Sequence, residues 1–281
     1  MQIKSLNEQI RVWRPKGFAG LELRQGTSVS QPYPKHWHDE LHFCLILDGS
    51  GNLNYRRERH WTPAGCLFIV HPGEVHSNHA DEGSSCSYRN LYAEPEIIRQ
   101  LAAEITGHQT DLPFFSPTPI YDREVIRLYL EMHQSFETGN SKLEQDELLL
   151  GFLAKLLARH SEVTMEFREP GRESEAVCRA REYLLENFSS NVSLEELAAI
   201  ADLSPFHLNR VFSKEFGLPP HAFLTQVRVA RAKSLLKQGA SITQTAMEVG
   251  FSDQSHFTRH FRRLVSVTPG HYLQGSKNVQ D

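Results

Sequence analysis

Cysteine is scarce in this chain. Cys44, Cys66, Cys86 and Cys178 are widely scattered and form no C-x-x-C pair, so they read as small buried apolar residues rather than disulfide partners. Long apolar runs are missing too. The longest, Leu41–Leu47, is interrupted by His42 and is far too short to span a bilayer. The first residues, MQIKSLNEQIRVWRP, lack the apolar core of a secretory signal, which makes the cytoplasm the expected address. Positive charge is also lacking overall, with a formal net charge of −4. That deficit would argue against a polyanionic partner if the charge were evenly spread.

It is not. Residues 1–171 carry 17 Lys and Arg against 23 Asp and Glu, whereas residues 204–277 carry ten basic residues (Arg210, Lys214, Arg228, Arg231, Lys233, Lys237, Arg259, Arg262, Arg263 and Lys277) against three acidic ones. Such asymmetry is the footprint of a nucleic-acid module joined to a different kind of domain. At 281 residues, with 40% hydrophobic and 23% charged residues, the chain has room for two globular domains.

The basic end contains a duplication. Leu194, Ala198, Ala201, Leu203 and Ser204 are answered by Ile242, Ala246, Val249, Phe251 and Ser252 at an offset of 48. After one inserted residue, Leu208, Arg210, Phe212, Pro220 and Leu224 are answered by Phe257, Arg259, Phe261, Pro269 and Leu273 at 49. Each copy reads as a helix-turn-helix. Ser193 with Glu196 predicts a capping box, and Ser204 followed by Pro205 predicts the start of a second helix. On that helix Leu208, Val211, Phe212 and Phe216 form an apolar stripe, with Phe206, Asn209, Arg210 and Lys214 opposite. In the second copy Phe257, Phe261 and Leu264 are expected to point inward and Gln254, Ser255, Thr258, Arg259 and Arg262 outward. Arg pairs bidentately with guanine, Asn or Gln with adenine, and basic groups further along suit phosphate. Between the copies, His221–Gln238 is predicted as one helix ending at Gly239, a rod of roughly 27 Å able to hold two reading helices for successive major-groove faces.

The segment from about Ala176 to Leu273 resembles the DNA-binding domain of the AraC/XylS family of bacterial transcription regulators, through SLEELAAIADLSPFHLNRVFSKEFGLPPHAFL, VRVARAKSLL and ITQTAMEVGFSDQSHFTRHFRRLVSVTPGHYL. The resemblance implies double-stranded promoter DNA and RNA polymerase as partners. It also implies base contacts at Phe206, Asn209, Arg210, Gln254, Ser255, Thr258 and Arg259, and an activating role. Where the family usually has Gly two residues before the Thr-Pro, this chain has Ser266, at an expected left-handed helix cap.

The N-terminal half reads differently. From Gly20 to about Tyr92, short apolar or alternating runs separated by turn residues suggest a small barrel or sandwich, and Glu96–Ile105, Pro119–Phe136 and Lys142–Arg159 carry helical periodicity. If His36–Cys44 is one strand, His36, His38, Glu40, His42 and Cys44 share a face, with Trp37, Leu41, Phe43 and Leu45 opposite. With Gly65 and Pro72-Gly73-Glu74-Val75-His76 downstream, this stretch resembles the cupin barrel and the cupin-like effector domain of AraC relatives. In metal cupins the matching positions His36, His38 and His76 would bind a divalent ion, with His42 standing at the acid position and Glu40 two residues earlier. In AraC relatives the region more often forms a pocket for an organic effector, so small-molecule binding by His36, His38, Glu40, His42 and His76, divalent metal at His36, His38 and His76, and purely structural histidines all stay open.

The expected fold is α+β in two domains: residues 1–160 a cupin-like β-barrel followed by helices, 161–174 a linker, and 175–281 an all-α double helix-turn-helix. Apolar residues along Lys142–Arg159 exceed what one face of a lone helix needs, and this points to a homodimer. The expected function is a ligand-responsive transcription regulator with no membrane partner. The alternative is a metal-dependent cupin enzyme with an accessory helical domain.

Overall fold

The computed structural model describes residues 9–81, 83–116, 119–162 and 173–277. The first compact unit is built on the chain up to Gln134 together with the part of a later helix from Gly151. Among the described residues it holds β1 (Gln9–Trp13), β2 (Leu21–Val29), β3 (Tyr33–His36), β4 (Leu41–Asp48), β5 (Ser50–Tyr55), β6 (Glu58–Pro63), β7 (Leu67–Val70), β8 (His76–Ala80) and β9 (Cys86–Ala93). They form two antiparallel sheets, ordered β1-β2-β9-β4-β7 and β3-β8-β5-β6.

Strand β4 shows why its sequence is apolar without a break. It pairs with both β7 and β9, and Leu41 through Ile46 are all buried. Cys44 and Ile46 join Leu53, Tyr55, Phe68 and Tyr88 in the core between the sheets. Phe43, on the other face, meets the rings of Phe115 and Phe152, and its carbonyl accepts the Tyr129 hydroxyl. A strand covered on both faces needs no polar alternation. Cys44, Cys66 and Cys86 are buried free thiols, as their scatter implied, and burial pushes the Cys66 thiol up to about 12. Helices α1 (Pro95–Thr106) and α2 (Arg123–Thr138) follow, with α3 (Lys142–His160) closely matching its predicted span. Asp122 caps α2 by accepting from the backbone N–H of Glu124 and Val125, and its carboxylate also holds Arg159 and His160.

On α3 the structure departs from expectation. Leu143, Leu149, Leu150, Phe152, Leu153, Leu156 and Leu157 are all buried and, of its leucines, Leu148 alone is half-buried, so the helix presents no continuous apolar stripe to a second subunit. Its apolar surplus is consumed within the chain.

The second unit takes Ser135–Leu150 and the helices α4 (Ser174–Glu186), α5 (Leu194–Ala201), α6 (Pro205–Phe216), α7 (Pro220–Lys237), α8 (Ile242–Glu248), α9 (Gln254–Val265) and α10 (Pro269–Lys277). Most of the expected linker, 163–172, lies outside the described residues. The duplication is structural. Ser193 and Ser241 cap α5 and α8, and α6 and α9 have equal lengths 49 residues apart. The inserted residue falls just before α9, so the partner of the Ser204 cap is Asp253 rather than Ser252; its carboxylate accepts from His256 N at 2.7 Å. The capping box at Ser193 forms only in part. Ser193 Oγ accepts from Glu196 N, while the Glu196 carboxylate takes the Tyr183 hydroxyl.

Helix α7 carries the core of the second copy, with Val229, Ala232 and Leu236 packing against Ala246, Val249, Phe251, Phe257 and Phe261. Gly250 (φ +87) is required between α8 and α9, because a Cβ there would sit 2.5 Å from the Ser189 carbonyl oxygen. Arg228 is only 4% exposed and donates to the Phe188 and Ser190 carbonyls at 2.7 and 2.8 Å. Burial lowers its guanidinium to about 10, and one of the ten basic residues is thereby structural. Two carboxylates of α3 complete this unit. Asp146 accepts from Leu194 N at the start of α5, and Glu147 accepts from His221 N and Nδ1 at the start of α7. Negative charge at a helix N-terminus satisfies free N–H groups and opposes the helix dipole.

Candidate effector pocket and nucleic-acid interface

The histidine-rich stretch is not a single strand. After His36 the chain leaves the β3–β8 sheet, crosses at Trp37–Glu40, and re-enters the other sheet at Leu41. Strict alternation is lost in that crossing. Trp37 is 59% exposed instead of sharing a buried face with Leu41 and Phe43. Glu40 contributes its backbone carbonyl; of the expected pocket residues His36, His42 and His76 line the cavity between the sheets, whereas Glu40 and His38 do not, His38 meeting the cluster through its ring contacts with His36, His42 and His76.

The histidines nonetheless converge. His36 and His76 are cross-strand partners with ring centroids 4.2 Å apart, His38 lies 4.9 Å from His76, and His42 lies 5.4 Å from His38. One ring nitrogen from each of His36, His38 and His76 lies within 4.8 Å of the others. Their tautomers follow from their neighbours. Nδ1 of His36, His38 and His76 meets the carbonyls of Pro34, Glu40 and Glu74 at 2.8, 2.9 and 3.0 Å. A carbonyl only accepts, so each Nδ1 carries the proton and each Nε2 offers a lone pair. Burial lowers His38 and takes His76 down to about 4, keeping both neutral near pH 7.

His42 is fully buried and stacks on Tyr92 at 4.2 Å; burial holds it well below the usual imidazole range. Asn90 is its polar neighbour, although neither His42 nitrogen nor Asn90 Oδ1 completes a hydrogen bond. The cavity wall also includes Tyr33, Asn78, Tyr88, Asn90 and Tyr92. Three of these stand at every second residue of β9, a period-two polar and aromatic run that was readable in the sequence and went unnoticed. Three imidazoles that present Nε2 are a donor set that a first-row divalent ion accepts, but the acid position holds a stacked imidazole in place of a carboxylate.

In the second unit the outward positions of α9 come together as expected. Gln254, Ser255, Thr258, Arg259 and Arg262 line one open groove with Arg263 and Thr268, and Thr243 Oγ1 donates to Gln254 Oε1 at 2.6 Å. On α6, Phe206, Asn209 and Arg210 are half-buried and Lys214 is exposed, with the Arg210 guanidinium 5.7 Å from the Phe206 ring centroid. Buried residues are Leu208, Val211 and Phe212 on α6, and His256, Phe257, His260 and Phe261 on α9. Two inward assignments fall short: Phe216 at the end of α6 is only half-buried, and Leu264 is 40% exposed, since it sits past the core on the last turn of α9. The inward pair His256 and His260 was missed altogether, because the apolar stripe was read from aromatic and aliphatic residues alone.

A two-sheet barrel with a cavity lined by histidine, tyrosine and asparagine among apolar residues, followed by tandem helix-turn-helix units, defines a ligand-responsive DNA-binding regulator. Comparison with known proteins agrees. Residues 18–157 match the AraC-like ligand binding domain and residues 197–275 match a helix-turn-helix domain. The HTH-type transcriptional regulator YbfI of Bacillus subtilis (strain 168) is 32% identical over 238 residues, 84% of this chain and 85% of its own. The HTH-type transcriptional activator RhaS of Enterobacter sp. (strain 638) is 27% identical, over 86% of this chain and 88% of its own. Among solved structures, the C-terminal domain of AraT, a response regulator from Geobacillus stearothermophilus, is 32% identical with a TM-score of 0.36, covering 37% of this chain and 88% of that one. The chain belongs to the AraC family of helix-turn-helix transcription regulators. The family and these relatives are regulators and not enzymes, and the cupin-enzyme alternative finds no support. No helix among the described residues is long and apolar enough to cross a membrane.

Proposed function

We propose that the chain is a cytoplasmic, homodimeric activator that reads promoter DNA with Phe206, Asn209, Arg210, Lys214, Gln254, Ser255, Thr258, Arg259 and Arg262, and recruits RNA polymerase in response to a small organic effector held in the barrel. The observation that carries the effector assignment is the set of imidazoles on His36, His38 and His76. Each is locked by a backbone carbonyl into the tautomer that presents Nε2, and His38 Nε2 is buried without a partner. Buried acceptors without donors are costly, so the natural occupant brings hydrogen-bond donors such as hydroxyl or ammonium groups. His42, Tyr92 and Asn90 form the neighbouring wall, and Glu40 acts by holding His38. Homodimerisation must use a surface other than the apolar side chains of α3, which are already buried.

A second reading rests on the same convergence: the three lone pairs would also suit a divalent ion, to which the effector would bind as a further ligand. The test is a His36→Ala/His38→Ala variant assayed with a promoter reporter and by metal analysis. It is expected to fold and keep promoter affinity while losing induction. Metal present in the wild type and absent from the variant supports the ion, whereas lost induction without metal supports direct contact. A variant that responds normally to inducer refutes the pocket assignment.

A further inference from the structure

A second cluster of metal-binding side chains lies within the second unit. Glu144 near the start of α3 and His256 and His260 on α9 are all buried, and one ligand atom from each lies within 4.8 Å of the others. The two histidines are one turn apart on the flank of α9 opposite its reading face, with ring centroids 4.5 Å apart. We propose that Glu144, His256 and His260 bind a divalent transition-metal ion of the zinc type, which fixes the second reading helix to the start of α3.

Several independent features support the site. His256 is 3% exposed and its Nε2 is buried with no hydrogen-bond partner, an orphan that a metal would satisfy. Its other nitrogen is already oriented. Ser252 Oγ lies 3.1 Å from Nδ1 and itself donates to Asp253, so the hydroxyl accepts from Nδ1–H and the Nε2 lone pair is left for a ligand. Outer-shell support of this kind is what metal-bound imidazoles ordinarily have. His260 is 4% exposed and is held against His256 with its ring turned by 75°, so both imidazoles are withdrawn from water beside Glu144. Glu144 supplies the negative charge, with its Oε1 steadied by Asn140 Nδ2 at 2.7 Å.

Two histidines, one carboxylate and a water make a common four-coordinate zinc shell. Tetrahedral bonds of about 2.0–2.1 Å set donors about 3.4 Å apart, a spacing within the 4.8 Å limit inside which the three ligand atoms already lie. The opposing charges are Arg259 and Arg263 on α9 and Arg228 and His221 on α7, Arg228 held by the Phe188 and Ser190 carbonyls and His221 paired with Glu147. Arg263 Nη2 also makes a long 3.4 Å contact with His260 Nδ1, which gives way if that nitrogen must carry the proton.

The experiment is a Zn²⁺ titration of the full-length chain against a chromophoric chelator, with thermal unfolding in parallel. Glu144→Gln, which keeps the side-chain volume and the Asn140 contact, is expected to weaken one tight equivalent by at least about tenfold. His256→Gln/His260→Gln should abolish that equivalent, and Zn²⁺ should raise the Tm of the wild type but not of either variant. Repeating the titration in His36→Ala/His38→Ala separates the barrel: the equivalent persists there if it belongs to α3 and α9. No tight Zn²⁺ in that background, or binding indifferent to Glu144→Gln, overturns the proposal and leaves the effector reading untouched. If the double histidine variant loses its native circular dichroism, the Glu144→Gln result alone decides.

Discussion

Ser266 ends α9 in the left-handed region, at φ 67, where the corresponding position after α6 is Gly217 at φ 73. A side chain in that conformation costs up to about 1 kcal/mol relative to glycine. Ser266→Gly is therefore expected to stabilise the second unit by about 0.5–1 kcal/mol, read as a higher urea midpoint at unchanged m-value. An unchanged or lower midpoint would show that the serine makes a compensating contact. Asp122 is the residue whose ionisation matters most in the first unit. Arg159 first, then His160 and two backbone N–H groups, hold its carboxyl well below the usual carboxylate range. A depressed carboxyl pKa stabilises the fold above the unfolded-state value near 3.8, and that contribution is lost as pH falls below it. Asp122→Asn keeps a capping side chain but loses the ion pairs. Its stability deficit against wild type should be full at pH 7 and shrink steadily below about pH 4. A deficit independent of pH would show that the ionisation of Asp122 contributes nothing measurable to stability.

Among the elements, the helices of the second half were legible almost residue by residue because serine caps, prolines at first helical positions and a repeat offset of 48 and then 49 all agreed. The cap at Asp253 was not, since Ser252 beside it offers the same chemistry and only the backbone decides between them. The strands were legible as a class, but the crossing between β3 and β4 was not. A loop of four residues between sheets leaves no periodic trace, and His38 reaches the cluster from that loop. Likewise the abundance of leucine on α3 could not reveal what it was buried against. The two reading helices make the sharpest forecast at this scale. Arg210→Ala and Arg259→Ala should each cost about 1–3 kcal/mol of specific binding and relax preference at one base pair, whereas Lys214→Ala should weaken all sequences alike. Equal losses on specific and random DNA for both arginine variants would assign them to phosphate.

For the molecule as a whole, a modest net negative charge conceals a basic DNA-reading half, and α3 serves two units at once. Asp146 and Glu147 satisfy the first N–H groups of α5 and α7, while Phe152, Leu153, Leu156 and Leu157 from the same helix are buried in the other unit's share of the chain. Phosphate contacts by the basic residues should give promoter affinity that falls steeply with salt, yet sequence-specific regulation requires more than that. The most direct test is genome-wide mapping of bound DNA for the wild type and for an Arg210→Ala/Arg259→Ala variant at equal expression. A sequence-specific regulator with two reading helices should occupy discrete promoters sharing two short motifs about one helical turn apart, and the variant should lose those sites while keeping its fold. Diffuse occupancy by the wild type, or the same peaks in the variant, would contradict the account.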